Sequence, residues 1–378
     1  MIRILIALLS GIFLLPGCQQ STDTTTQHTS APVPVKITYA KRFNIKQEKD
    51  FTVLELLGNK DNQAVTSTFV LYKHDKPAYK ADAYYVKTPV KKVASMSSIY
   101  SMMLMKLNEG NSIAAIDNVD YYTNQSIALA VASGKIMELS KGPTIELEKT
   151  IALHPDLLLT FGMGDPKMDI DKKLFQAGIP VAISLDHLEE TPLARAEWIK
   201  FFACFFDKLN MADSLFTLTE KKYNTLKALA QKSIKKPSVL TEIKYGDTWY
   251  VPSSKSYIAH LITDAGGDFF WKEDSKTGST PLSFEIVYSK AKDCDYWINL
   301  YNINSKKELL AYDERYGLFK AFKEDRLYNN NKTQNAKGYS DYWETAITNP
   351  DDVLADLIHV FYPELLPDHT FMYYKQIK

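Results

Sequence analysis

Apolar positions along the chain fall into two periods, and their order defines an architecture. Short runs rich in β-branched and aromatic residues occur at 51–57, 67–73, 90–96, 112–116, 156–161 and 180–185, and again at 238–244, 296–301 and 326–328. Segments with helical spacing lie between them, at 98–107, 146–152, 256–265, 284–291 and 350–361. Strands alternating with helices predict largely parallel sheets covered by helices on both faces. The longest pattern, 191–233, has no glycine and one proline, at its start. Thr191 is placed to cap the first amides, and Pro192 fits the first helical turn. Trp198, Phe202, Phe205, Leu209, Ala212, Phe216, Tyr223, Leu226 and Ala230 then recur at spacings that place them on one face, with Thr219 the polar member of the stripe. An unbroken helix of that length would span roughly 60 Å; a break is expected near Asn210 or Asp213. The fold class that follows is α/β: two Rossmann-like lobes bridged by a long helix.

The chain divides accordingly. In 1–17, Arg3 precedes an apolar run, 4–15, that is too short for a bilayer core needing ~20 residues, so the segment reads as a removable secretory signal. Leu15-Pro16-Gly17-Cys18 resembles a bacterial lipobox, which makes Cys18 the expected lipidation site. Residues 18–36 are rich in Ser, Thr, Gln and Pro and read as a tether reaching about 20–25 Å. The N-terminal lobe is expected over 37–190, the linker over 191–234 and the C-terminal lobe over 235–378. The stretch 37–92 exceeds what a minimal lobe needs and predicts an added strand pair.

Composition narrows the function. Of 378 residues, 45 are Lys or Arg and 45 are Asp or Glu, so the net charge is zero and no global basic excess points to nucleic acid. Three cysteines, Cys18, Cys204 and Cys294, are too few and too scattered for a disulfide framework or a structural zinc site; Cys204 and Cys294 read as buried hydrophobes. The seven histidines, including His28 in the tether, show no ligand spacing, and no phosphate loop, dinucleotide fingerprint, nucleophile elbow or HExxH motif is present. No catalytic or metal-ligating residue is assigned. The distinctive feature is aromatic content of 12%, with 23 Tyr, 18 Phe and 5 Trp.

In open α/β sheets ligands bind beyond the carboxyl ends of strands. The loops there mix rings with hydroxyls and amides, as a site for a large, partly apolar guest would. The candidates are Ser97, Ser98, Tyr100, Asn118, Tyr121, Tyr122, Phe161 and Met163 in the first lobe, and Trp249, Tyr250, Tyr301, Asn302, Tyr342 and Trp343 in the second.

Four stretches carry a family resemblance: 146–159 (ELEKTIALHPDLLL), 257–267 (YIAHLITDAGG), 291–299 (AKDCDYWIN), and 339–344 (YSDYWE) followed by 349–357. In this order they resemble the periplasmic substrate-binding proteins of ABC importers for iron chelates and vitamin B12. The resemblance implies a non-enzymatic receptor without an intrinsic cofactor, whose bound guest is a corrinoid, haem or ferric siderophore held between the lobes. It implies an ABC permease and its ATPase as partners, a monomer, and a lipid anchor at the periplasmic face of the envelope. It also implies docking by one acidic residue on each lobe. Glu148 matches the first, while the second falls on Thr263, so Asp264 beside it, or Glu285, is the expected substitute. With only five arginines in the chain, a corrinoid or neutral chelate is favoured over anionic siderophores. Two other readings fit the residues: a receptor for a bare cation such as zinc, and a secreted hydrolase on a two-lobed scaffold.

Overall fold

The computed structural model describes residues 33–58, 64–141, 144–274 and 276–378. The signal, Cys18, His28 and most of the tether lie outside the described residues.

The first lobe is built on five parallel strands in the order Val181–Ser184, Leu157–Phe161, Val93–Ser95, Ile113–Ile116 and Met137–Glu138. The second uses Asp268–Phe269, Ser238–Thr241, Tyr296–Ile298 and Leu327–Asn329 in parallel, closed by antiparallel Lys375–Gln376. The central strand Val93–Ser95 is fully buried, and Ser238–Thr241 and Tyr296–Ile298 are buried but for their first residues, which is why these strands read as continuous runs rather than alternating ones.

Two expectations need correction. The linker is three helices, Pro192–Glu197, Ile199–Cys204 and Leu209–Ala230. Its main break falls at 205–208, earlier than expected, where Asp207 adopts a left-handed φ of 57°. That conformation ends an α-helix, and Asp is among the non-glycine residues that tolerate it. The final helix of 22 residues spans roughly 33 Å. Thr191 does cap the start, its hydroxyl accepting from the Ala194 amide at 3.2 Å.

The N-terminal extension is not a strand pair but a five-stranded sheet. Val33–Pro34, Phe43–Gln47, Phe51–Leu57 and Val65–Tyr72 form an antiparallel meander, and Tyr84–Lys87 adds in parallel. Its inner face packs on the linker: the Phe43 ring meets Trp198 at 4.9 Å and Phe201 at 5.7 Å, and Phe69 meets Phe205 at 5.5 Å. On another side of the linker Phe202 meets Tyr100 of the first lobe at 5.2 Å. The short helix Ile199–Cys204 is thus buried throughout.

Glu197, fully buried, fixes the chain entering that sheet. Its carboxylate accepts from the amides of Thr38 (2.9 Å), Tyr39 (2.7 Å) and Ala40 (3.0 Å), and Lys200 Nζ lies 3.2 Å away. Removing it would orphan three amides together and leave the buried Lys200 ammonium with Asp213 as its remaining ion-pair partner, at 2.9 Å. Glu197→Ala is expected to cost about 3 kcal/mol or more, seen as a lower denaturation midpoint and as earlier proteolysis around residues 35–42.

Candidate functional site

Two adjoining cavities open where the carboxyl ends of both sheets meet, and they share Glu242, Tyr301 and Trp343. One, about 680 Å3, is lined from the first lobe by Ser97, Ser98, Asp117, Tyr121 and Phe161, and from the second by Asn299, Asn302, Asn331 and Tyr339. The other, about 600 Å3, is lined by Arg42, Arg195, Tyr245, Tyr250, Tyr257 and Tyr312. Both volumes suit a bulky small molecule. A larger cavity of about 1080 Å3 lies elsewhere, between turns of the N-terminal sheet and the helix break, walled by charged side chains such as Lys49, Asp50, Lys73 and Asp75. It lies at strand ends of the N-terminal sheet rather than of the two lobe sheets, and it lacks the exposed rings that mark the interlobe cleft.

Those rings single the cleft out. Nine aromatic side chains are exposed among the described residues, and seven of them line it: Phe161, Tyr245, Tyr250, Tyr301, Tyr312, Tyr339 and Trp343. Apolar surface gathered in one concavity marks a binding site. Three non-glycine residues in the cleft also adopt left-handed φ: Glu242 (65°), Asn299 (59°) and Tyr301 (54°). They follow the adjacent strands Ser238–Thr241 and Tyr296–Ile298, and each such conformation costs on the order of 1 kcal/mol or more, as side chains aimed by function often do.

Polar capacity is concentrated there too. Seven buried side-chain polar atoms among the described residues have no protein partner, and six belong to cleft residues: Arg42 Nε, Asp117 Oδ1, Arg195 Nε, Tyr257 hydroxyl, Asn299 Nδ2 and Asn331 Oδ1. Buried groups are normally satisfied, so this grouping leaves hydrogen-bonding capacity for a guest. Arg195 is held by Asp186 at 3.1 Å and lies 5.0 Å over the Tyr257 ring. Burial raises the Asp117 carboxyl to about 6 and that of Glu242 to about 7. Glu242 keeps some exposed surface while its carboxyl sits inward.

At one end the lobes touch directly. Asn335 Nδ2 donates to the carbonyls of Asp120 (2.7 Å) and Tyr122 (3.0 Å), and Glu344 accepts from the Thr123 amide. Lys106 Nζ reaches the Thr348 carbonyl and Asn349 Oδ1, both at 2.6 Å.

Of the residues expected from sequence, Ser97, Ser98, Tyr121, Phe161, Tyr250, Tyr301, Asn302 and Trp343 line the cleft. The others do not. Tyr100, Tyr122, Trp249 and Tyr342 are buried inside the lobes: Tyr122 bonds Ser101 at 2.9 Å, Trp249 stacks on Trp297 at 5.7 Å, and Tyr342 meets Tyr374 at 6.2 Å. Asn118 is a turn cap, accepting from the Asp120 amide at 2.8 Å. Met163 is exposed on the loop after Leu157–Phe161, away from the cleft walls. Asp264 is buried, taking a bond from the Tyr223 hydroxyl at 2.7 Å and pairing with Lys227 at 2.8 Å, so it cannot meet a partner. Glu148 and Glu285 are exposed and sit in the first turn of Leu147–Leu153 and Phe284–Ala291, each helix preceding a parallel strand. Glu242, Asp117, Asn331 and Arg42 were missed. The strand-end rule that found their neighbours reaches the first two, whereas Arg42 comes from the N-terminal sheet and carries no local signal.

Two α/β lobes joined by a helical linker, with an aromatic cleft at their strand ends, define a solute-capturing protein. The family model described as "Periplasmic binding protein" matches residues 93–332, and the chain belongs to that family, one of binding proteins rather than enzymes. An uncharacterized lipoprotein of Methanocaldococcus jannaschii is 27% identical over 304 residues, covering 76% of this chain and 70% of its own. A second from that organism is 25% identical over 408 residues, covering 99% and 98%. Among solved structures, the fold is similar to a periplasmic heme-binding protein of Roseiflexus (TM-score 0.58, 18% identity, 73% of this chain and 99% of that one). It is also similar to a periplasmic vitamin B12 binding protein of Vibrio cholerae (TM-score 0.53, 14% identity, 72% and 97%).

The raised Glu242 carboxyl has a consequence for stability. The native state keeps this proton between the carboxyl's ordinary value of 4.5 and about 7, while the unfolded state loses it, so the group destabilises the fold progressively as pH rises through that window. Glu242→Gln should therefore raise stability by about 1–2 kcal/mol at pH 8, with the gain vanishing toward pH 4.5 in denaturation curves.

Proposed function

We propose that this protein captures a bulky metal chelate, a corrinoid, haem or ferric siderophore, between its lobes and delivers it to an ABC permease and its ATPase. The observation that carries the reading is the gathering of seven exposed aromatic rings in one interlobe cleft. Rings present large rigid faces at small entropic cost, which suits a macrocycle or an aromatic chelator. Structural relatives that bind heme and vitamin B12 support it. A bare-cation receptor needs at least three convergent ligands, and among the described residues no three His, Cys, Asp or Glu side chains are placed to hold one ion.

Docking falls to Glu148 and Glu285. Both are exposed carboxylates in equivalent first-turn positions of the two lobes, where they can steer and orient the receptor on basic permease residues. Arg315, 3.3 Å from Glu285, is a surface neighbour that a permease arginine could displace. The receptor acts as a monomer tethered at the periplasmic face through lipid on Cys18. Among the described residues no helix is long and apolar enough to cross a membrane.

Tryptophan and tyrosine fluorescence titrated with cyanocobalamin, haemin and a panel of ferric siderophores tests the ligand class. At least one should quench at micromolar concentration, and Tyr301→Ala with Trp343→Ala should weaken it roughly a hundredfold. Silence from every probe would discard the reading. For the anchor, Cys18→Ser should move the protein from the detergent phase to the aqueous phase in a Triton X-114 partition of expressing cells; unchanged detergent-phase recovery would refute lipidation.

A further inference from the structure

Two carboxyls, one from each lobe, line one cavity of the cleft. Asp117 is the first residue after strand Ile113–Ile116 of the first lobe, and Glu242 the first after Ser238–Thr241 of the second. Both line the 680 Å3 cavity. Neither has an ion-pair partner among the described residues, and Asp117 Oδ1 accepts no hydrogen bond.

The groups around them do not supply a cation. Asp117 is faced by the Tyr122 phenol and the Glu138 carboxylate. Glu242 is faced by the Thr241 hydroxyl, the phenols of Tyr342 and Tyr374, and the Asn299 amide, which lies close enough to favour its charged form without completing a hydrogen bond. Arg195 is committed to Asp186 and Lys244 to Asp313 at 2.6 Å. Lys337 also lines this cavity, but it is largely exposed and its ammonium lies 3.6 Å from the Asp120 carboxylate, on neither of the two carboxyls. Arg42 and Lys255 belong to the adjoining cavity. Beside the carboxyls sit Asn299 and Asn331, 2% and 1% exposed, each with one unsatisfied amide atom. Among the described residues the cavity therefore holds two unmet buried acceptors, Asp117 Oδ1 and the Asn331 carbonyl oxygen, against one unmet donor, the Asn299 NH2, while Glu242 accepts only a 3.3 Å bond from the Thr241 hydroxyl.

On the reading that the cleft takes a metal chelate, we propose that Asp117 and Glu242 form a clasp that selects guests presenting ammonium or amide N–H groups to the floor and rejects guests with carboxylate peripheries. A guest N–H donates charge-assisted hydrogen bonds to these carboxylates, and such bonds are about twice as strong as neutral ones. A guest carboxylate would bring a further negative charge up to carboxyls that are already partly desolvated. The donor also favours the charged forms of both residues, so its binding releases protons and tightens as pH rises through 6 to 7. The left-handed backbone at Glu242 is the strain that aims this carboxyl at the cavity.

Two matched probe pairs test the clasp. Dicyanocobyrinic acid heptaamide and dicyanocobyrinic acid share one ring and differ only in amide or carboxylate arms; ferrioxamine B and its N-succinyl derivative differ in the same sense at one end. In full-length protein, the N–H-bearing member of at least one pair should bind roughly tenfold or more tightly at pH 7.5. That preference should shrink below pH 5.5 and fall to within about twofold in a folded Asp117→Asn/Glu242→Gln variant. Calorimetry at pH 6.5 in two buffers of different ionisation enthalpy should show net proton release from the protein, absent in the variant. Equal or tighter binding of the carboxylate members, or a preference that survives the double substitution, overturns the clasp and leaves the chelate reading intact. Failure of all four probes, together with silence from the fluorescence panel, overturns both.

Discussion

The geometry of the cleft depends on how the start of the linker is held. Residues 198–205 place Trp198, Phe201, Phe202 and Phe205 between the first lobe and the N-terminal sheet, all with essentially no exposed surface. Rings packed edge to face against the N-terminal sheet, and at a tilt against Tyr100 of the first lobe, leave the helix Ile199–Cys204 no free face about which to pivot. Glu197 adds a polar lock by collecting three backbone amides. The N-terminal sheet thus has a mechanical role: it covers an aromatic surface that the linker would otherwise expose, and it brings Arg42 to the cleft. Downstream, Leu209–Ala230 is buttressed along its length by Pro350–Phe361 and pinned by Lys222 to Asp351 at 3.0 Å. A linker held at both ends leaves small adjustments, rather than wide hinge opening, as the available motion. A guest then meets walls already in place, and less of its binding energy goes into ordering them.

Periodicity in the sequence located the longer strands of the two lobe sheets and helices such as Ser98–Lys106, Leu147–Leu153 and Pro350–Phe361, because strands buried on both faces are continuous apolar runs and these helices carry clear stripes. It missed short elements such as Met137–Glu138 and Asp268–Phe269, the hairpin strands Thr248–Pro252 and Ser279–Leu282, and the helices Gln125–Ala132 and Lys306–Tyr312. It failed where the signal was of another kind. The break at Asp207 depends on one left-handed residue that no apolar spacing records. The N-terminal sheet gained strands from runs such as Phe43–Gln47, whose two buried apolar residues alternate with polar ones over five positions.

The site residues show a sharper limit. Three adjacent aromatic pairs were expected to line the cleft, and the fold splits each one. Tyr121, Tyr250 and Trp343 line it, while their neighbours Tyr122, Trp249 and Tyr342 are core. Along a strand successive side chains point to opposite faces, so Trp249 and Tyr250 must part, and in a tight turn neighbours diverge as well. Sequence can say that a loop is aromatic; which member of a pair faces the guest depends on a backbone direction fixed by the sheet beneath.

That division also explains how a strained cleft persists. The buried partners are the foundation of the exposed ones: Trp249 stacks on Trp297 and meets Tyr316 edge on at 5.7 Å, with Phe284 and Phe319 closing the cluster. Each large ring removes apolar area from water worth a few kcal/mol, against about 1–3 kcal/mol for each left-handed residue at the neighbouring strand ends. The aromatic excess of this chain is therefore two populations with opposite duties. One forms a rigid floor that over-determines the backbone, and the other stands on it, exposed and aimed. Because the floor absorbs the strain, Glu242, Asn299 and Tyr301 can hold conformations chosen for a guest rather than for stability, and the cleft can keep unmet hydrogen-bonding groups without collapsing around them.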